Sequence, residues 1–261
     1  MKKLTIIFTL LLCINLYSQD KMGLVQYGHK QSMGLGAPIG VDYNAVLIFN
    51  NNHSSYMYAK DSLEGGFVNK SVVIKKDSDN VFVKPMRTSK EGYQVYIELN
   101  NQMLTRNKGY SYVKENIPKI DWKILKEKKK IGTFECVKAI GIFRGREYTA
   151  WFTKSIPLSY GPWKLQGLPG LILEAYDTNK EVYFYFKSIK YPLDNKIKIT
   201  KPNPKSDSTD WITLDEYKKL LKNLHEKNIQ NGRMIAETYD AVDTTENEIP
   251  MKNFFIEAFD E

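Results

Sequence analysis

From residue 41 to residue 191 the chain repeats one pattern. Short runs carry apolar or aromatic side chains at every second position, and turn signals break them every few residues. A period of two puts alternate side chains on opposite faces of an extended ribbon. Breaks this brief favour antiparallel neighbours. VDYNAVLIFN at 41–50 leads through Asn51, Asn52 and His53 to SSYMYAK, where Tyr56 and Tyr58 share a face. SVVIKK, NVFVKPM and GYQVYIELN follow, parted by the turns KDSDN and SKEG. IDWKILKEKKKIG sets Trp122 and Ile124 on one face. FECVKAIGIF and EYTAWFT meet across Arg144-Gly145-Arg146, with Gly145 supplying the permissive backbone of a tight reversal. LPGLILEAYD and VYFYFKSIKY meet across DTNKE. The expected fold class is mainly β (α+β): a curved antiparallel meander sheet, open or rolled as far as a half-barrel.

One amphipathic helix is expected near 214–229. TLDEYKKLLKNLHEKN opens with Thr213 and has Glu216 three residues on, the spacing of a capping box. Leu214, Tyr217, Leu221 and Leu224 fall along one side, and Asn231-Gly232 is the expected stop. Before it, KPNPKSDSTD at 201–210 reads as a polar connection. Residues 19–40, rich in Gly, Ser and Gln without a period, read as loosely structured. The C-terminal NFFIEAFDE reads as either a last strand or a docked tail.

The chain has 261 residues, 42% of them hydrophobic, enough for one sizeable core. Lys2 and Lys3 followed by the apolar run at 4–16 read as a secretory signal, too short to span a bilayer. Cleavage after Ser18 leaves 19–261 as a single domain, exported to the periplasm or exterior. No second apolar span follows, so an integral membrane protein is not expected. The 38 Lys+Arg against 30 Asp+Glu are dispersed apart from KEKKK at 126–130, with no recognition motif, which argues against nucleic acid as a partner. Removal of the signal takes Cys13 with it. Cys136 then stands alone in an apolar run, as expected of a small buried hydrophobe rather than half of an internal disulfide.

The densest punctuation lies between 153 and 171, where Pro157, Gly161, Pro162, Gly167, Pro169 and Gly170 stiffen and kink the chain, with Trp151 and Trp163 flanking it. Pro169 fixes its own φ and biases Leu168 towards extension. Pro169-Gly170 suits the centre of a type II turn. Two readings stay open for Arg144, Arg146, Trp151, Trp163, Gly167, Leu168, Pro169 and Gly170. They form a binding lip at the end of a sheet, or a structural corner whose tryptophans enter the core. The two arginines likewise read as an anion clamp or as a solvated hairpin tip.

Catalytic signatures are sparse. His29, His53 and His225 have no metal-ligand spacing, and each is expected in solvent. The glycines do not match a nucleotide-binding spacing, and a strand rather than a helix follows them. No cofactor is therefore expected. Glu135, Glu147, Glu174 and Asp177 are the carboxylates from which a hydrolase acting on peptide or glycan could be built.

Taken together, YVKENIPKIDWKI at 112–124, CVKAIGIFRGREYTAWFT at 136–153 and IPLSYGPWKLQGLPGLILEAYD at 156–177 resemble the GLPGLI family of exported bacterial proteins, with AVLIFNNNHSSY at 45–56 a weaker likeness. The family's hexapeptide is Gly167 to Ile172 here. The resemblance implies export but no activity, and so transfers no catalytic residue. The functional expectation is a non-enzymatic binding or carrier protein of the cell envelope. Its partner would be a peptide, an apolar molecule or an outer-membrane protein. The hydrolase is the alternative.

Overall fold

A computed structural model describes residues 21–34, 40–75, 81–99, 101–106, 111–193, 197–204, 211–238 and 249–259. The expected signal segment lies outside these residues, as does most of the polar connection at 201–210.

The strands are β1 (Gly23–Gln31), β2 (Val41–Phe49), β3 (His53–Tyr58), β4 (Asn69–Lys75), β5 (Val81–Arg87), β6 (Tyr93–Glu98), β7 (Gln102–Arg106), β8 (Tyr112–Glu115), β9 (Lys123–Ile131), β10 (Phe134–Phe143), β11 (Arg146–Thr153), β12 (Leu171–Asp177), β13 (Val182–Lys190) and β14 (Trp211–Thr213). Twelve of them form one curved, open sheet in the order β14-β8-β7-β6-β3-β2-β1-β13-β12-β11-β10-β9. Pairing is antiparallel except for β14 on β8, which is parallel. β4 and β5 make a separate hairpin. The helix α1 spans Leu214–Thr238. The expected fold class is the one observed.

Three differences have physical causes. First, the segment expected to be loose contains β1, the central strand that joins two meanders by pairing with β2 on one side and β13 on the other. Val25, Tyr27 and His29 alternate inward and are fully buried, but Gly and His among them hide the period. Second, α1 runs through Asn231-Gly232. A glycine inside a helix costs only about 1 kcal/mol and need not end it. Third, β7, β8 and β14 are short strands that escaped the period because each is five residues or fewer.

The core lies on one face of the sheet. Val25, Tyr27, Leu47, Phe49, Tyr56, Val95, Ile97, Met103, Tyr148, Phe152, Leu173 and Phe184 are all at most 2% exposed. Each large apolar side chain buried there stabilises the fold by about 1.5–3 kcal/mol. Two connections cross this face. Residues 116–122 must travel from β8, near one edge, to β9 at the other, and they place Ile120 and Trp122 against the core. Residues 154–170 bring in Ile156, Tyr160, Trp163, Leu165 and Leu168.

Candidate functional site

The Gly-Leu-Pro-Gly stretch is a corner inside this core. Gly170 N–H donates to Leu168 O at 2.8 Å, so the turn closes over three residues around Pro169, tighter than the expected type II turn. Gly170 has φ +156, and a Cβ there would collide with Thr153 O. The chain then enters β12 with Leu171 N–H bonded to Ile156 O at 3.0 Å and Ile172 N–H to Tyr160 O at 2.9 Å. Tyr27 Oη donates to Ile172 O at 2.6 Å, fastening the start of β12 to β1. Trp122 donates through Nε1 to Gln166 O at 2.8 Å, and Gln166 in turn donates to Pro118 O at 2.5 Å. The two crossing connections therefore hold each other.

Trp163 sits at φ +56, a region bulky residues rarely adopt. Its ring packs among Phe143, Tyr148 and Phe184, at centroid distances of 5.7, 6.4 and 6.3 Å. Trp163 and the adjacent Lys164 are both buried, at 2% and 0% exposure. Trp151 makes separate contacts: Lys129 Nζ stands 4.5 Å over its ring and pairs with Glu174 at 2.6 Å. These aromatic rings fill the space around Trp163.

The two arginine side chains of the hairpin tip are neither solvated nor an open clamp, although Gly145 between them is exposed. β10 and β11 are joined by Arg144 (φ +52) and Gly145 (φ +72), with Phe143 opposite Arg146, as a two-residue I′ turn requires. Such a tip normally faces water. Here the C-terminal segment, with a short 3-10 turn at Met251–Asn253, folds over it. Ala258 N–H donates to Arg144 O at 3.1 Å. Gly145 fits under Ala258 because it lacks a side chain: a Cβ at 145 would stand 2.7 Å from that of Ala258. Of the two expectations for the C-terminus, the docked tail is the one observed.

Beneath the tail lie two enclosed charge groups. In the first, Lys164 Nζ is 2.7 Å from Glu115 and 2.9 Å from Glu257, and Arg144 pairs with Glu115 and faces Glu257 at 3.4 Å. In the second, Arg146 pairs with Asp177 at 2.5 Å and Glu181 at 3.3 Å. Arg146 also donates to three main-chain carbonyls of the tail: Lys252 O, Phe255 O at 3.0 Å and Ile256 O at 3.2 Å. Glu115, Lys164, Glu181 and Glu257 had no sequence signal, since nothing in a linear pattern marks partners drawn from four distant segments.

The four nominated carboxylates divide. Glu135 is exposed on Lys128, and Glu174 pairs with Lys129. Glu147 and Asp177 come together with Glu181, Arg146 and Lys252 around a cavity of about 280 Å³. His29 is not in solvent. It is fully buried, 3.1 Å from Tyr56 Oη and in tilted ring contact with Tyr58 at 4.0 Å, and desolvation lowers its pKa to about 3. His225 rests against Phe254. Among the described residues no cluster of His, Cys, Asp and Glu is arranged to hold a metal ion, and no helix is long and apolar enough to cross a membrane.

This architecture defines a class: an open, mostly antiparallel sheet, filled on one face by its own connections and closed over its β10–β11 hairpin by a tail. More specifically, residues 143–174, from the hairpin tip through the corner, match a family model described as a protein of unknown function (Porph_ging). No curated protein matches the chain. Among solved structures, PNGF-II is similar in two crystal forms. The P21 form has TM-score 0.49 and 15% identity, covering 76% of this chain and 32% of that one. The C2 form has TM-score 0.42 and 16% identity at the same coverage. The chain thus spans about a third of PNGF-II. The LolA superfamily protein NE2245 from Nitrosomonas europaea is similar at TM-score 0.26 and 11% identity, covering 67% of this chain and 87% of that one.

Proposed function

We propose that the protein is an exported binding protein of the cell envelope, and that its ligand is a polypeptide segment held at the tail-covered hairpin tip. One observation carries this: buried Arg146 donates to three main-chain carbonyls of the tail, those of Lys252, Phe255 and Ile256. Carbonyls are common to every peptide, so a rigid, pre-oriented guanidinium aimed at them grips a chain with little regard to its side chains. The filled core around Trp163 weighs against an apolar cargo in the sheet interior.

The test is co-purification from the native envelope followed by mass spectrometry, with wild type compared to Ala258→Leu, which unseats the tail from Gly145 without changing charge. More polypeptide should be recovered with the variant, and cross-links should map to residues 144–146. Equal recovery from both, or cross-links elsewhere, would remove the reading.

The hydrolase has one observation in its favour, the cavity shared by Glu147 and Asp177. Asp177 is already committed to Arg146 and to the Val182 N–H at 3.0 Å, leaving Glu147 as the available acid or base. Turnover of a peptide or glycan that disappears in Glu147→Gln would establish it.

A further inference from the structure

The two charge groups under the tail are not equivalent. Arg146 has two carboxylates from the body of the protein, Asp177 and Glu181. Arg144 and Lys164 share only one, Glu115, and their second is Glu257, brought by the tail. Without that carboxylate, two cations and one anion would remain in a site where Lys164 is 0% and Glu115 6% exposed. An unbalanced buried charge of this kind is costly, and the acidic side chain of Glu257 offsets it.

The fit of Glu257 is also incomplete. Arg144 Nε is buried and makes no hydrogen bond among the described residues, although Glu257 lies 3.4 Å away. One donor, Arg144 Nε, is thus left over at a site already holding a carboxylate. A carboxylate placed slightly differently could engage the guanidinium through both of its edges.

We propose that the seat of Glu257 is a recognition pocket for a carboxylate-bearing peptide segment supplied in trans, and that the protein's own C-terminal segment fills it in cis as a surrogate. This rests on the peptide-binding reading and adds to it the ligand's chemistry. The segment carries an acidic side chain between apolar residues, as Ile256-Glu257-Ala258 does, with a small residue next to the acid where Gly145 leaves no room for more.

The experiment uses the full mature chain and two labelled synthetic peptides, PMKNFFIEAFDE and the same sequence with Gln in place of Glu257. Wild type, Glu257→Gln and Ala258→Leu are titrated by fluorescence anisotropy. The Glu peptide should bind both variants about tenfold or more tighter than wild type, and about tenfold tighter than the Gln peptide does. Because Ala258→Leu alters no charge, it serves should Glu257→Gln fail to fold. Equal binding of the two peptides would overturn the carboxylate pocket while leaving peptide binding intact. No binding of either peptide to a folded variant would overturn the pocket too, and the envelope co-purification would then decide the broader reading separately.

Discussion

At the scale of single residues, the side chains that matter most are charged and enclosed. Removing one partner from a buried ion pair strands the other, which typically costs 3–5 kcal/mol, far more than a surface pair is worth. Lys164→Met should therefore lower the unfolding free energy by about 3 kcal/mol in urea, because Glu115 and Glu257 lose their shared cation. His29 supplies a pH dependence. Burial among Tyr56, Tyr58 and Phe184 holds it neutral, with its pKa at about 3, whereas the unfolded chain takes up a proton near the ordinary histidine value. The unfolded state binds more protons between those limits, so stability is complete above the unfolded pKa and declines as pH falls towards 3. The slope from this one group is about 1.4 kcal/mol per pH unit. Urea midpoints of wild type and His29→Gln from pH 7 to pH 5 should diverge accordingly, the variant being flatter; parallel curves would contradict the assignment.

Elements show which local signals suffice. The cap of α1 was legible because its chemistry is local: Thr213 N–H donates to Glu216 Oε2 at 2.7 Å, and Glu216 N–H to Thr213 Oγ1 at 3.3 Å. Thr213→Ala should cost about 1 kcal/mol and reduce far-ultraviolet helicity. The corner was legible as a corner, since proline and glycine carry their constraints with them, but its three-residue closure was not. Thr153 O lies where a Cβ of residue 170 would stand, a constraint set by a strand that is close in space rather than in sequence. Gly170→Ala should destabilise the fold by about 1–3 kcal/mol through a φ that alanine resists, measured by thermal unfolding. Arg144 and Arg146 failed as a solvated tip for the converse reason. Their turn type is local, but what covers it comes from more than a hundred residues away, as the 110-residue separation of Arg146 and Ile256 shows.

For the whole molecule, β1 is the keystone because it joins two meanders that would otherwise be separate sheets, each with one more exposed edge. Cys136, near Tyr27 of that strand, reports on the assembly. It is fully buried, and desolvation pushes its thiol up to about 11. A thiol reagent at pH 8 should react at the rate of global opening, and urea below the unfolding transition should leave it protected. Rapid labelling of the folded protein would mean that the β9–β10 edge opens independently.

Period-two alternation, turn residues and a capping box are written in neighbouring positions, and steric and hydrogen-bonding rules act on neighbours directly. They were sufficient for a mostly antiparallel sheet, one helix and a tight corner. Strand order across twelve members, the burial of His29 and the enclosure of Arg144, Arg146 and Lys164 beneath a C-terminal tail depend on which distant surfaces meet. Burial changes the worth of a charge by several kcal/mol, so the same arginines that would be inert in water hold the tail to the body once the chain closes over them.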